Sequence, residues 1–392
     1  MLSCEKYYSD LPMKILVNAQ PLLKPLSGVG QYTLQLYREL LRMECSCRFY
    51  YRFHYSDRLS LSESGFVHKL DGVLEDHNLA QLPLKVLRTL IFKSSSLGLA
   101  RGSIYHEPNL LPLKTRLPSV VSIHDLSPLR VPDTHPSKSV KIFKERIPHA
   151  IKHAKRIIAI SEFSRQEILE YFPEAEAKTF VTLLGVRNNY HAMDAVATQP
   201  TLKHLGLRHG RYLLAVGTLE PRKNLARAIT AFKRLPKPFR EHYPLVIAGM
   251  KGWINHEFEA AVTPLIEQGE VKILGFVRDE DLNALYSGAR LLIYPSIYEG
   301  FGLPPLEAMA SGTPVITANC SSLPEVVGDS GIQVDPYDTD AIQMALMSLI
   351  EDDALHQRLS AAGVERAKTF SWRRTAEETL NIFKDLSAEL HC

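Results

Sequence analysis

The chain has little cysteine: five in 392 residues, at Cys4, Cys45, Cys47, Cys320 and Cys392. The number is odd, the positions are scattered and no zinc-type spacing occurs. That argues against a disulfide framework or a metal finger and points to reduced thiols in a cytosolic protein. Long apolar runs are missing too. No stretch reaches the roughly 18 apolar residues that a membrane-spanning helix needs. The opening segment Met1–Pro12 is polar and the first apolar run, Ile15 to Val17, is only strand-length, so no signal peptide is expected. A large charge excess is also absent: the net charge is +3, and nucleic acid is not an expected partner. Walker loops, His-Glu-x-x-His and Gly-x-Ser-x-Gly nucleophile motifs do not occur, nor does any repeat or low-complexity stretch.

What is present is a chain long enough for two α/β domains, with 45% hydrophobic and 23% charged residues. Its charge is unevenly placed. Through Tyr190 there are 26 Lys and Arg against 18 Asp and Glu, about +8; beyond it there are 20 against 25, about −5. A basic first half facing an acidic second half points to an anionic surface or lipid near the first. Short β-branched runs alternate with amphipathic helices, the pattern of parallel sheets. Strands are expected at Lys14–Asn18, Ser119–Ile123 and Arg156–Ile160, with a helix near Gln31–Arg42 and a basic one near Lys138–Lys155 that Pro148 interrupts. A second series follows at Tyr212–Val216, Pro244–Ala248, Val271–Leu274, Arg290–Tyr294 and Pro314–Thr317, with a helix near Ala226–Arg234 after its first strand. Pro173–Arg208 reads as the linker. Ligands of such sheets bind at the carboxyl ends of the strands.

The most informative segment is Tyr294-Pro-Ser-Ile-Tyr-Glu299-Gly-Phe-Gly-Leu-Pro-Pro-Leu-Glu307-Ala-Met-Ala-Ser-Gly. A strand ends, a turn with Gly300 and Gly302 follows, and a helix opens near Pro304, leaving amides free for an anion. Glu299 either caps this helix or faces a ligand. Glu307 is either a surface residue or, with Ala308, Met309 and Ala310 behind it, a buried carboxylate that needs hydroxyl or N–H partners. In Val216-Gly-Thr-Leu-Glu-Pro-Arg222-Lys223-Asn224, two adjacent cations follow a strand. They are an exposed basic pair or a diphosphate site, where each charge-assisted hydrogen bond contributes roughly 1.5–3 kcal/mol.

Other segments are less specific. Pro25-Leu-Ser-Gly28-Val-Gly30-Gln-Tyr opens a helix after the first strand, and glycine there allows close approach of a phosphate. It lacks the third glycine and the acidic partner of a dinucleotide fold. His124-Asp125 ends a strand at a cleft edge; His124 bonds either backbone or a sugar. Tyr105-His106-Glu107-Pro108-Asn109 is a candidate acceptor contact. Asp338-Thr-Asp340 has a metal-binding form but precedes a helix, where capping explains it. Ser161-Glu162-Phe-Ser164-Arg165 is likewise a helix start. The basic segment Ser139–Arg156 and the segment Leu84–Lys93 are candidates for an anionic membrane surface.

The Glu-x7-Glu segment, with its Gly-Phe-Gly-Leu-Pro-Pro core, resembles the signature of the retaining glycosyltransferases of family four, and the Arg-Lys element fits the same family. The resemblance spans Lys14 to about Trp372. It implies the GT-B fold: two Rossmann-like doubly wound domains, 1–190 on the acceptor side and 191–371 on the nucleotide-sugar side, with a final helix, 372–392, crossing back. It implies that Glu299 contacts the donor sugar and Glu307 the ribose hydroxyls. Amides of Phe301, Gly302 and Leu303 reach the donor, and Arg222 and Lys223 hold its diphosphate. Gly28 and Gly30 approach the phosphate, and the base lies near Gly275–Val277. His124 positions the sugar. Some relatives carry an arginine where this chain has Thr218, which leaves fewer phosphate contacts here. No metal or other cofactor is implied, since the two cations stabilise the departing diphosphate.

The closest pattern within the family is that of bacterial mannosyltransferases of O-antigen and exopolysaccharide assembly. It implies GDP-mannose or GDP-rhamnose as donor and a saccharide or lipid-linked saccharide as acceptor. The expected setting is the cytoplasm, with peripheral contact at the inner face of the membrane. UDP-glucose is the alternative donor. A sugar-nucleotide epimerase of the same shape is the alternative reaction and would turn over donor without acceptor. A non-catalytic sugar-nucleotide sensor is a third reading, against which the intact Glu and Arg-Lys elements argue.

Overall fold

Strands of this chain read as unbroken apolar runs, such as Leu213-Leu-Ala-Val216 and Leu291-Leu-Ile-Tyr294, because both faces of each sheet are covered by helices. In the computed structural model, the described residues are 13–23, 26, 28–52, 54–61, 89–94, 96, 99, 103–110, 112, 113, 115–253 and 256–390. They form two sheets. The first holds β1 (Lys14–Asn18), β2 (Ser46–Tyr50), β3 (Tyr55–Ser56), β4 (Ile104–Glu107), β5 (Ser119–Ile123), β6 (Arg156–Ala159) and β7 (Thr179–Val181), in the order β3-β2-β1-β4-β5-β6-β7. Only the short β3 runs antiparallel to its neighbour. The second holds β8 (Leu213–Val216), β9 (Leu245–Ala248), β10 (Val271–Gly275), β11 (Leu291–Tyr294), β12 (Val315–Ala318) and β13 (Ile332–Val334), all parallel, in the order β10-β9-β8-β11-β12-β13.

Each sheet reverses its strand order once, between β1 and β4 in the first and between β8 and β11 in the second. Loops leaving the two strands on either side of such a point splay apart and open a crevice at their carboxyl ends. The loop after β8 carries Arg222 and Lys223, and the loop after β11 carries Glu299. Topology alone therefore brings them to one crevice.

Three expectations need correction. Pro173–Arg208 is not a plain linker: it contains β7 and the helix Ala195–His204, which packs against Asp279–Ser287 beside the second sheet. Pro148 does not interrupt its helix, which runs unbroken from Ser137 to His153. Pro148 and Lys144 are both exposed, so water can take the carbonyl that the missing N–H leaves free. The candidate acceptor segment Tyr105–Glu107 belongs to a buried central strand, Ile104–Glu107. The N-terminal twelve residues with Cys4, Pro25, Ser27, the first half of Leu84–Lys93 (84–88) and Cys392 lie outside the described residues.

The chain passes between the sheets twice, and the two passages are paired. Val186 N–H donates to the Phe370 carbonyl at 3.2 Å, Val186 bridges Ser371, and Thr375 Oγ1 donates to the Leu183 carbonyl at 2.6 Å. Ser371 then caps the helix Trp372–Glu389, which lays Ala376, Thr379, Phe383 and Leu386 on the Gly28–Arg42 helix of the first domain. Gly185 makes this close passage possible, since a Cβ there would sit 2.0 Å from the Trp372 nitrogen. Gly185→Ala should therefore destabilise the fold by about 1–3 kcal/mol, the cost of forcing extra volume into a packed site. An unchanged midpoint in thermal denaturation would refute this account of the crossing.

Candidate active site

The centre of the site is an ionic cluster at the second switch point. Pro221–Lys223 forms a short 3-10 turn after β8, and Asn224, in the left-handed region at φ 58°, reverses the chain into the next helix. Asn224 Nδ2 fixes the turn by donating to the carbonyls of Pro295 and Pro336. Lys223 Nζ then reaches Glu299 Oε1 at 2.6 Å and the Tyr294 hydroxyl at 2.7 Å, and it sits 5.0 Å from the centre of the Tyr294 ring. The Tyr294 hydroxyl donates to the same Glu299 oxygen at 2.8 Å. Arg222 Nη1 donates to Glu299 Oε2 at 3.1 Å and to the Tyr298 carbonyl at 3.2 Å, while its Nε donates to Glu220 Oε2 at 2.8 Å.

Both cations and Glu299 are mostly buried, which fixes their electrostatics. Burial opposes ionisation of Glu299, but Lys223 and Arg222 outweigh it and hold the carboxyl down at about 2. Burial pushes the Lys223 ammonium below its ordinary value, against the pull of Glu299. Glu220 was not singled out in the sequence, yet it balances Arg222. Two carboxylates thus pair with two cations in the crevice.

Across the crevice, the first domain packs on the Glu299 turn. A Cβ on Gly300 would lie 1.9 Å from the His124 carbonyl oxygen, so glycine is required for this approach. Ser161 Oγ and Ser164 Oγ donate to the Gly300 carbonyl at 2.7 and 3.1 Å. Ser161 also caps its helix as expected, but its link to the other domain was not legible. The amides of Glu162 and Phe163, at that helix N-terminus, donate to the Glu325 carboxylate at 3.0 to 3.3 Å. Trp253 Nε1 donates to the Thr134 carbonyl at 2.7 Å, closing a further contact between domains.

His124 Nε2 lies 2.8 Å from the Pro108 carbonyl, and its ring stands edge-on to Tyr32 at 4.8 Å. Burial lowers its pKa, with the Pro108 carbonyl and Asp125 opposing, so the ring is neutral near pH 7. A carbonyl only accepts, so Nε2 carries the proton and Nδ1 remains as an acceptor. Of the two readings of His124 from sequence, the structure shows the bond to backbone, made through Nε2.

Glu307 lies one turn inside the helix Leu303–Ala310, with Oε2 accepting from Tyr286 at 3.1 Å and Oε1 3.4 Å from Arg187 Nη2. Gly302, at φ 115°, supplies the left-handed residue that starts this helix. Ser322 Oγ donates to the carbonyls of Glu299 and Phe301 at 2.9 and 2.7 Å, holding the turn from behind. The Phe301 ring is buried against Phe370. Val277 is also buried as a side chain, while its neighbour Phe276 is exposed. Gly28 is exposed with open space at its Cα, but Gly30 is buried with a would-be Cβ 3.1 Å from the Pro21 carbonyl. Its glycine serves packing inside the turn.

The acceptor contact expected of Tyr105, His106 and Glu107 is corrected by their burial. Glu107 accepts from Asn18, Tyr105 and the Asn109 amide, and burial raises its carboxyl to about 7. His106 lies between Tyr37 and Ser122, and burial lowers it to about 3. Of the segment's polar side chains only Asn109 is exposed. Asp338 accepts from the amides of Asp340 and Ala341, a helix cap as expected. Replacing Glu299 by Gln should leave Lys223 buried beside Arg222 without a counter-charge and lower its pKa further. The alkaline limb of the kcat/KM profile should then move to lower pH; an unmoved limb would separate Lys223 ionisation from Glu299.

Residues 26–188 match the family profile described as Glycosyltransferase Family 4, and residues 203–366 match Glycosyl transferases group 1. The chain is 35% identical to O-antigen chain mannosyltransferase B of Escherichia coli over 384 residues, covering 95% of this chain and 100% of the relative. Among solved structures it resembles sucrose-phosphate synthase from Thermosynechococcus elongatus, with a TM-score of 0.73 at 18% identity over 96% of this chain and 100% of that one. It also resembles the HepE protein of Anabaena, solved with UDP-glucose, with a TM-score of 0.71 at 20% identity over 96% and 100% of the two chains. The two facing parallel-sheet domains are those of the GT-B fold, and the chain belongs to the glycosyltransferases of family four.

Proposed function

We propose that the enzyme is a retaining α-mannosyltransferase that moves mannose, or the related D-rhamnose, from its GDP-sugar to a saccharide or lipid-linked acceptor of O-antigen assembly. The observation that carries the mannosyl reading is the identity with O-antigen chain mannosyltransferase B along that relative's whole length. The ionic cluster supports the chemistry. A diphosphate entering beside Arg222 and Lys223 takes over their hydrogen bonds and frees the Glu299 carboxylate to face the sugar hydroxyls. As the bond from the anomeric carbon to the phosphate oxygen breaks, the growing negative charge meets two cations already in place. The acceptor oxygen bonds that carbon on the same face, and its proton passes to the departing phosphate. Configuration is thereby kept, and no metal ion is needed. His124 Nδ1 accepts a hydroxyl of the donor sugar.

The exposed face of the Ser137–His153 helix carries Lys138, Lys141, Lys144, Arg146 and Lys152 with Ile142, while Val140, Phe143, Ile147 and Ile151 are buried. This face suits the anionic headgroups at the cytoplasmic side of the membrane, where a lipid-linked acceptor would be presented. No helix among the described residues is long and apolar enough to cross a membrane.

Lys223→Ala should lower kcat by about 100-fold or more, the scale of losing one preorganised donor to a developing anion. The fold should survive, because Glu299 keeps Arg222. Steady-state rates with GDP-mannose, read beside a thermal melt, test this; near-normal turnover in a folded variant would sink the leaving-group assignment. The melt run with GDP-mannose and UDP-glucose at equal concentration tests the donor, since the bound form gains stability with occupancy. Preference for the uridine compound would overturn the donor reading. An inverted product linkage by NMR, or a rate abolished by chelator, would overturn the retaining, metal-free mechanism.

A further inference from the structure

Arg187 stands at the first passage between the domains, directly after the residue that bridges Ser371. Its side chain is only 11% exposed and does not run along the passage but turns into the second domain. Nη1 donates to Asp279 Oδ2 at 2.6 Å, Nη2 reaches the Tyr190 hydroxyl and lies 3.4 Å from Glu307 Oε1, and the guanidinium stacks 4.7 Å over the Tyr190 ring. Tyr190 in turn meets Tyr286 edge-on at 5.7 Å, and Tyr286 donates to the other Glu307 oxygen. From the first domain, Gln31 Nε2 donates to the same Asp279 oxygen at 3.1 Å. One guanidinium thus ties the passage, the Gly28–Arg42 helix and the Glu307 carboxylate into one array.

We propose that Arg187 is the positioning residue of the ribose anchor: it holds Glu307 oriented and ionised so that both carboxylate oxygens accept from the vicinal ribose hydroxyls of the donor. This rests on Glu307 being that anchor. A carboxylate that accepts two hydroxyls must not spend a proton on itself, and the site makes that difficult. Burial raises the Glu307 carboxyl, and Asp279 adds to the rise. Arg187 and the hydroxyls of Tyr286 and Tyr190 pull it back. Among these groups only Arg187 supplies positive charge. Its own place is set by Asp279 and by the Tyr190 ring, so the orientation of Glu307 is inherited from the domain passage.

The test is calorimetric binding of GDP and 2′,3′-dideoxy-GDP, and of UDP and 2′,3′-dideoxy-UDP, to the wild type, Arg187→Met and Arg187→Lys. Ribose is common to both nucleotides, so the result does not hinge on the base. In the wild type, removing the hydroxyls should weaken binding by about tenfold or more, the scale of hydrogen bonds to a charged group. A wild type that binds each dideoxy form as tightly as its parent overturns the anchor reading itself. Given that discrimination, Arg187→Met should weaken the parent nucleotide by about tenfold and leave the dideoxy form unchanged. Arg187→Lys, which keeps the charge and loses the fork, should fall between. Equal weakening of both forms, or full discrimination in both variants, overturns the proposal. A merely structural arginine would also leave the pH dependence alone. Here, as pH falls and Glu307 protonates, discrimination should be lost at a higher pH in Arg187→Met than in the wild type.

Discussion

The site depends on one constraint: Lys223 and Arg222 must stay charged while nearly buried, and Glu299 makes that possible. A buried ammonium without a partner loses its proton, and a buried carboxylate without one gains it. Here each supports the ionisation of the other, and the Tyr294 hydroxyl sits between them as acceptor to one and donor to the other. Such a pair adds little net stability, because desolvation offsets most of its attraction. Its value lies in preorganisation. On the proposed function, the cations stand where the diphosphate binds, and the ligand replaces the carboxylate that holds them.

That arrangement explains features farther away. Asn224 takes a left-handed conformation beside Lys223, its Nδ2 donating to two carbonyls of neighbouring loops and its Oδ1 accepting from Arg227. Ser321 and Ser322 hold the Glu299 turn from the turn that follows β12. From the opposite domain, Ser161, Ser164 and the His124 carbonyl close on Gly300. The turn is therefore fixed by both domains, and the geometry of its carboxylate is sensitive to how they sit together. The Glu325 carboxylate on the amides of Glu162 and Phe163 adds a charge-assisted contact to the same junction.

Much of this was legible in the sequence, for identifiable reasons. Parallel strands buried on both faces leave continuous apolar runs, so β1 and β5 were found to the residue and most others within one. The Glu299 and Arg222-Lys223 elements could be read because local order, strand then turn then helix, already dictates where they point. What escaped depends on distant partners. Tyr105-His-Glu107 read as a candidate acceptor contact, whereas its polar groups are satisfied by Asn18, Tyr37 and Ser122, which come from elsewhere in the chain. Glu220 was passed over as a residue of the turn, although its spacing of two from Arg222 carried a local signal. Arg187 was passed over because it lies in a stretch read as linker, and beside its neighbour Tyr190 its partners Asp279 and Glu307 come from far along the chain.

The charge asymmetry of the two halves takes on a different meaning once the crevice is known. An acidic second domain seems ill suited to a nucleotide diphosphate, yet the ligand does not see net charge at these distances. Over more than a Debye length of roughly 8–10 Å the surface acids are screened, whereas the buried cations are not. The local balance decides binding, and there Glu220 and Glu299 pair with Arg222 and Lys223. On the proposed function, a diphosphate adds negative charge beside the two cations, and Glu299 leaves them for the sugar hydroxyls, which satisfy its oxygens by hydrogen bonding. A ligand with phosphates but no sugar leaves the displaced carboxylate without those partners. Recognition of the sugar and of the diphosphate are therefore coupled through a single side chain, and this favours the intact donor over the nucleotide product that must leave.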